Sequence, residues 1–144
     1  MLRVFTVIAF AALCLGASST EAKADDVVYL SNEKVMAKMS DPGVMTEGSD
    51  HIVIMSRRDK GGQSEVHAGE TDVFYVIEGS ATFVTGGTVV DAKTTGPGQI
   101  RGSGIKGGKK QMLSKGDVIV IPKGTPHWFK DVPKLVVYYV VKAK

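Results

Sequence analysis

The shortness of its β-forming runs is what most constrains this chain. Runs at 27–30, 51–56, 64–67, 73–77, 81–84, 109–113, 117–121, 127–130 and 135–142 are rich in Val, Ile, Tyr and Phe. Gly, Pro and Asp turns divide them. Many short strands with frequent turn signals point to an antiparallel sandwich or barrel. Ser31 is placed to cap one short helix through about Met39, with Val35, Met36 and Met39 forming a face to pack on the sheet. Asp41-Pro42-Gly43 then stops it. Glu78-Gly79-Ser80 reads as a hairpin turn between 73–77 and 81–84, with Gly79 free to take positive φ. The Gly-rich stretch 86–108 holds two short β-like pieces, around 88–90 and 99–101. It reads either as a projecting hairpin or loop that covers a pocket or as a solvated excursion. The predicted fold is all-β with one short N-terminal helix.

The N-terminus carries a different signal. Arg3 is followed by an almost wholly apolar stretch at 4–17 and by Ala22-Lys23-Ala24, the order of a secretory signal with its small-residue cleavage site. The apolar run is shorter than the roughly 20 residues a membrane span needs. Cleavage after Ala24 is therefore expected, leaving 25–144 as a single domain. The product would be exported, periplasmic or secreted, with no stable membrane association. Removing 1–24 takes Arg3, Lys23 and Glu21, so 18 basic and 15 acidic residues become 16 and 14, and the net charge of +3 falls to about +2. It also removes Cys14, the one cysteine. The mature chain then has no disulfide and no thiol ligand, and any metal must be held by His and carboxylates. Its basic residues are scattered, which argues against a nucleic-acid partner. A 43% apolar composition excludes a disordered chain.

Two segments hold most of the chemistry. In the first, Glu65 and His67 lie two residues apart on one strand and so project to the same face. Asp72 opens the next strand, where it can fold back toward that pair, and alternation puts Phe74 and Val76 on its face. In the second, 116–131, a strand runs into the tight turn Pro122-Lys123-Gly124, and His127 heads the strand that returns. Alternation from His127 turns Phe129 rather than Trp128 inward. Glu70 is expected to face solvent, and His51 to be structural.

These two segments resemble the paired motifs of the cupin superfamily, G-x5-H-x-H-x3,4-E-x6-G and G-x5-P-x-G-x2-H-x3-N. Gly116, Pro122, Gly124 and His127 match the second, with Asp131 in place of Asn. In the first, His67 stands at the second-histidine position and Gly79 closes the motif. Asp72 stands where Glu is usual, and Glu65 replaces the first His. The likeness covers about 50–142. It implies a cupin-type antiparallel jelly-roll β-barrel and, residue by residue, a single divalent metal ion (Mn, Fe, Zn, Ni or Co) held by Glu65, His67, Asp72 and His127. It further implies a homodimer. The ligand would be a small oxygen-rich molecule, bound by a metal-dependent enzyme of dioxygenase, isomerase or decarboxylase type. The alternative is a non-catalytic binding or sensing module. Phe74, Val76, Phe129 and Tyr139 are expected to wall the pocket, and Arg101 to reach an anionic substrate.

Overall fold

The computed structural model describes residues 25–144; the expected signal segment, its cleavage site and Cys14 lie outside them. The elements are α1 (Asn32–Ser40), β1 (Gly43–Glu47), β2 (His51–Arg58), β3 (Ser64–His67), β4 (Thr71–Thr85), β5 (Thr88–Val90) and β6 (Lys93–Gly96). They continue through β7 (Gln99–Gly102), β8 (Gly104–Lys106), β9 (Lys109–Ser114), β10 (Val118–Ile121), β11 (His127–Asp131) and β12 (Val136–Ala143). All strand pairing is antiparallel, in the order β1-β2-β12-β4-β11-β3-β7-β6, with β9 and β10 also paired to β4 and with β5 and β8 as a separate ribbon. The fold is the expected all-β jelly roll. Among the described residues no helix is long and apolar enough to cross a membrane.

The core follows from strand alternation. Phe74, Val76, Ala81, Phe83, Leu113, Ile121, Phe129, Val132, Val136, Tyr138 and Val140 form one buried cluster, with Ile54 and Ile119 packed against it. Its centre is aromatic. Phe74 and Phe129 stack at 5.8 Å with an 8° angle, and Tyr138 lies 4.9 Å from Phe129, separations at which aromatic pairs attract beyond their buried area.

Several expectations need correction. Residues 27–30 are not a strand: Val27 is 97% exposed and the first strand is β1. The helix begins as expected, with Ser31 Oγ accepting from the Lys34 amide at 3.4 Å, but none of its residues is fully buried and Met36 faces solvent. Residues 73–77 and 81–84 are not the arms of a hairpin. They are one continuous 15-residue strand, β4. Its first half pairs with β12 and β10 and its second with β11 and β9, so it runs along both halves of the barrel. Gly79 does take a positive φ, 76°, but to bend this strand around the corner. The two β-like pieces of the Gly-rich stretch are β5 and β7; β7 pairs with β3 and is part of the wall, whereas β5 joins β8 in a separate ribbon and 91–95 are exposed.

Gly79 packs with its α-carbon against the Leu135 carbonyl, and a Cβ there would overlap that oxygen. A Gly79→Ala variant combines this clash with an unfavourable φ and is expected to lose at least about 2 kcal/mol of stability. Urea midpoints of the two proteins check it.

Candidate metal centre and its cation shell

Strand register brings the candidate donors together. On β3, the residues Glu65 and His67 face inward two apart; β11 pairs with β3 through His127↔Glu65. The turn before β11 is held by the Thr125 amide donating to the Pro122 carbonyl at 3.1 Å, with Gly124 at φ 78° and its amide donating to the His67 carbonyl at 2.7 Å. That bond ties the second motif to the first. Asp72 arrives from the start of β4. The ligand atoms of Glu65, His67 and His127 lie within 4.8 Å of one another. Asp72 Oδ2 is 3.6 Å from Nε2 of both histidines, and Glu65 Oε2 is 3.4 Å from His67 Nε2 and 3.8 Å from His127 Nε2. Glu65, His67 and His127 thus form the tight cluster, and Asp72 stands beside the two histidines.

Each donor has an outer partner. His67 Nδ1 meets Gln99 Oε1 at 2.5 Å, and His127 Nδ1 meets the Thr125 carbonyl at 3.0 Å. Both acceptors fix the proton on Nδ1 and turn the Nε2 lone pair inward. The two Nε2 atoms are buried and have no hydrogen-bond partner. The carboxylates are divided in the same way. Glu65 Oε1 takes Arg101 Nη1 in a close ion pair and Arg58 Nη2 at 3.8 Å, while Asp72 Oδ1 accepts from Lys142 Nζ at 2.8 Å. Their second oxygens remain for the centre. Three of these partners lie directly across a strand: Arg101 opposite Glu65, Gln99 opposite His67 and Lys142 opposite Asp72.

A cavity of about 170 Å³ opens beside the donors. Arg58, Arg101, Ser56 and Lys142 supply polar groups to it, and Ile54, Phe74, Phe129, Tyr138 and Val140 form its apolar wall. Phe74, Phe129 and Arg101 are where the sequence placed them. Val76 is on the expected face but deeper, in the core. Tyr139 is a correction: it points to the outer face against Tyr75, ring centroids 5.4 Å apart, and Tyr138 lines the cavity. Glu70 is not a free solvated carboxylate, since it lies 3.4 Å from Lys142 Nζ. His51 is at the surface with Asp50 at 2.7 Å. Trp128 turns away from the cavity and donates to the Gly62 carbonyl at 2.6 Å. Arg58, Gln99, Tyr138 and Lys142 were missed. Arg58 stands over the Phe129 ring at 4.9 Å and donates from Nε to the Tyr138 hydroxyl at 3.0 Å.

The electrostatics follow from this shell. Burial works to raise the Glu65 pKa, but the contact with His67 Nε2 at 3.4 Å and the guanidinium charges of Arg101 and Arg58 bring it down from 4.5 to about 2. His67 is raised, because a second proton on Nε2 would face the Glu65 carboxylate. His127 is lowered, chiefly by burial. Burial also raises the Tyr138 phenol, keeping it a hydrogen-bond donor at neutral pH. A carboxylate with a depressed folded pKa stabilises fully above its unfolded value and loses that contribution as pH falls toward the folded one. Metal-free protein is thus expected to lose stability between about pH 4.5 and pH 2. Glu65→Gln, though less stable at pH 7, is expected to lose less over that interval. Denaturant midpoints across the acid range measure both slopes.

The comparisons with known proteins agree with this architecture. The chain is similar to BH2720 from Bacillus halodurans at 16% identity, covering 80% of each chain with a TM-score of 0.58. It is similar to hydroquinone 1,2-dioxygenase from Sphingomonas sp. TTNP3, solved with 4-hydroxybenzoate bound, at 10% identity over 72% of this chain and 65% of that one, TM-score 0.55. The EutQ protein of Clostridium difficile shares 18% identity over 71% of this chain, TM-score 0.47, and the chain spans only 60% of its length. No curated protein matches. The cupin family model matches residues 45–144, which include both histidine segments and every strand from β2 to β12, and the chain belongs to the cupin family.

Proposed function

We propose that this chain is an exported single-domain cupin that holds one divalent metal through Glu65, His67, Asp72 and His127 and binds a small oxygen-rich molecule beside it. The observation that carries the reading is the pair of buried, unpartnered Nε2 atoms facing the inner oxygens of two carboxylates. Leaving such atoms unsatisfied is costly, and a cation removes the cost. The separations suit one. Imidazole nitrogens and carboxylate oxygens lie 3.4–3.8 Å apart, against about 3.4 Å between ligands placed tetrahedrally at ~2.1 Å from a metal. Two imidazoles and two carboxylates suit Mn, Fe, Zn, Ni or Co. Bound there, the ion would supply a Lewis acid.

The chain's own residues do the rest. Gln99 and the Thr125 carbonyl hold the imidazole tautomers. Arg101 and Lys142 take the outer carboxylate oxygens of Glu65 and Asp72, and the Arg58 charge beside Glu65 helps to keep that group ionised. Phe74, Phe129 and Val140 keep the ligand side of the centre apolar, and Tyr138 offers a hydroxyl at its edge. Metal analysis of protein purified without a His-tag is expected to find close to one divalent ion per chain, and a His67→Ala/His127→Ala variant to lose it. Equal metal content in the two would overturn the assignment. Turnover of small metabolites with added Fe(II) or Mn(II) would mark an enzyme, and ligand-induced thermal shifts without turnover a binding module.

Pairing of two copies belongs to the same reading. Val118 on β10 opposes Tyr75 on β4, which opposes Tyr139 on β12, and Val120, Val73 and Val141 form the next row. Cross-strand partners share a face, so both rows lie on the outer side of the sheet, with Val118 61% and Val120 58% exposed. A Val118→Glu/Val120→Glu variant is expected to sediment as a monomer while the wild type sediments as a dimer. A monomeric wild type would refute the pairing.

A further inference from the structure

We infer that the ligand of this cavity is a short organic acid, with its carboxylate seated between Arg58 and Arg101 and its remaining atoms against the Phe129–Tyr138 wall. The inference rests on the proposed ligand-binding role of the cavity. Its first support is charge. Arg58, Arg101 and Lys142 face the site with Glu65 and Asp72, and Glu70 shares Lys142 at 3.4 Å. Three cations and three carboxylates balance, so a divalent ion held by Glu65 and Asp72 would leave the pocket an excess of +2. A site of low dielectric with that excess favours an anion.

Donor geometry is the second support. A guanidinium has five N–H donors in a planar fork. Arg58 commits Nε to the Tyr138 hydroxyl and leaves its nearest guanidinium nitrogen 3.8 Å from Glu65, beyond hydrogen-bond range. Arg101 commits Nη1 to Glu65. Donors of both forks remain, on side chains only 31% and 33% exposed. Two forks gathered on one carboxylate oxygen at a cavity rim match the planar, bidentate demands of a second carboxylate. Arg58 is also fixed in place by the Phe129 ring beneath it. Size is the third support: about 170 Å³ lies below the ~300–1,000 Å³ of pockets that enclose drug-sized ligands. Only a few carbons fit.

The test uses neutral isosteres. Lactate and lactamide, and pyruvate and pyruvamide, differ in charge but hardly in shape or in their adjacent oxygen. Affinities are read from thermal shift against ligand concentration at fixed ionic strength, on wild type, Arg58→Gln, Arg101→Gln and Arg101→Lys, with metal content measured on the same samples. The acids are expected to bind at least about ten-fold more tightly than their amides, with each Gln variant losing most of that preference and Arg101→Lys keeping part of it. Equal binding of acid and amide, no binding of either, or a preference unchanged in folded Gln variants would overturn the inference. If a Gln variant does not fold, the acid–amide comparison on wild type decides alone. The two readings fail separately. Metal bound without acid preference sinks this inference and leaves the metal centre, whereas acid preference in protein without metal does the reverse.

Discussion

Cross-strand pairing is the constraint on which this molecule depends. Glu65 faces Arg101, His67 faces Gln99 and Asp72 faces Lys142 because β3 pairs with β7 and β4 with β12 in one particular register. Glu65, His67 and Asp72 are each thereby given an outer partner by the strand register, while His127 takes the Thr125 carbonyl of its own turn. A slip of one residue would turn the donors to the opposite face, and a slip of two would separate every pair. The apolar alternation that packs Phe74, Val140 and Ile54 against the core is what fixes the register, so the same burial that folds the barrel also sets the chemistry.

The shell of cations solves an electrostatic problem created by that arrangement. Burial disfavours the Glu65 carboxylate, and the carboxylate of Asp72 enters the same pocket. Arg101 and Lys142 offset this by binding the outer oxygens, and Arg58 by its charge beside Glu65, at the rim where their side chains keep contact with water. The exchange of a histidine for Glu65 is intelligible in these terms. A third imidazole would need only a backbone acceptor, whereas a glutamate needs a cation, and β7 and β2 supply two.

Much of this was legible in the sequence. Turn residues and β-rich runs located β2, β3 and β9 to β12 closely, and motif spacing singled out Glu65, His67 and His127, which cluster, and Asp72 beside them. The failures have physical causes. Gly79 carried a true signal for positive φ, but a hairpin and a bent continuous strand demand the same backbone there, and only the Leu135 contact and the strand pairings distinguish them. Tyr138 and Tyr139 could not be told apart because β12 is apolar on both faces, so alternation has no polar side to fix its phase. Arg58 was hidden for the same reason on β2, where Ser56 and Arg58 share a face with Ile54. Gln99 and Lys142 act only through residues more than 30 positions away, and nothing local to either announces the partner.

The alternation along β12 has an evolutionary consequence. Tyr138, Val140 and Lys142 line the cavity, while Tyr139 and Val141 lie on the outer side, so two sets of contacts are interleaved in one octapeptide. Point substitutions can alter the outer surface and leave the chemistry intact, or the reverse. Insertions and deletions cannot, since a change of one residue in length exchanges the two sets at once. Across related chains, β12 should vary freely in composition on its outer positions and hardly at all in length.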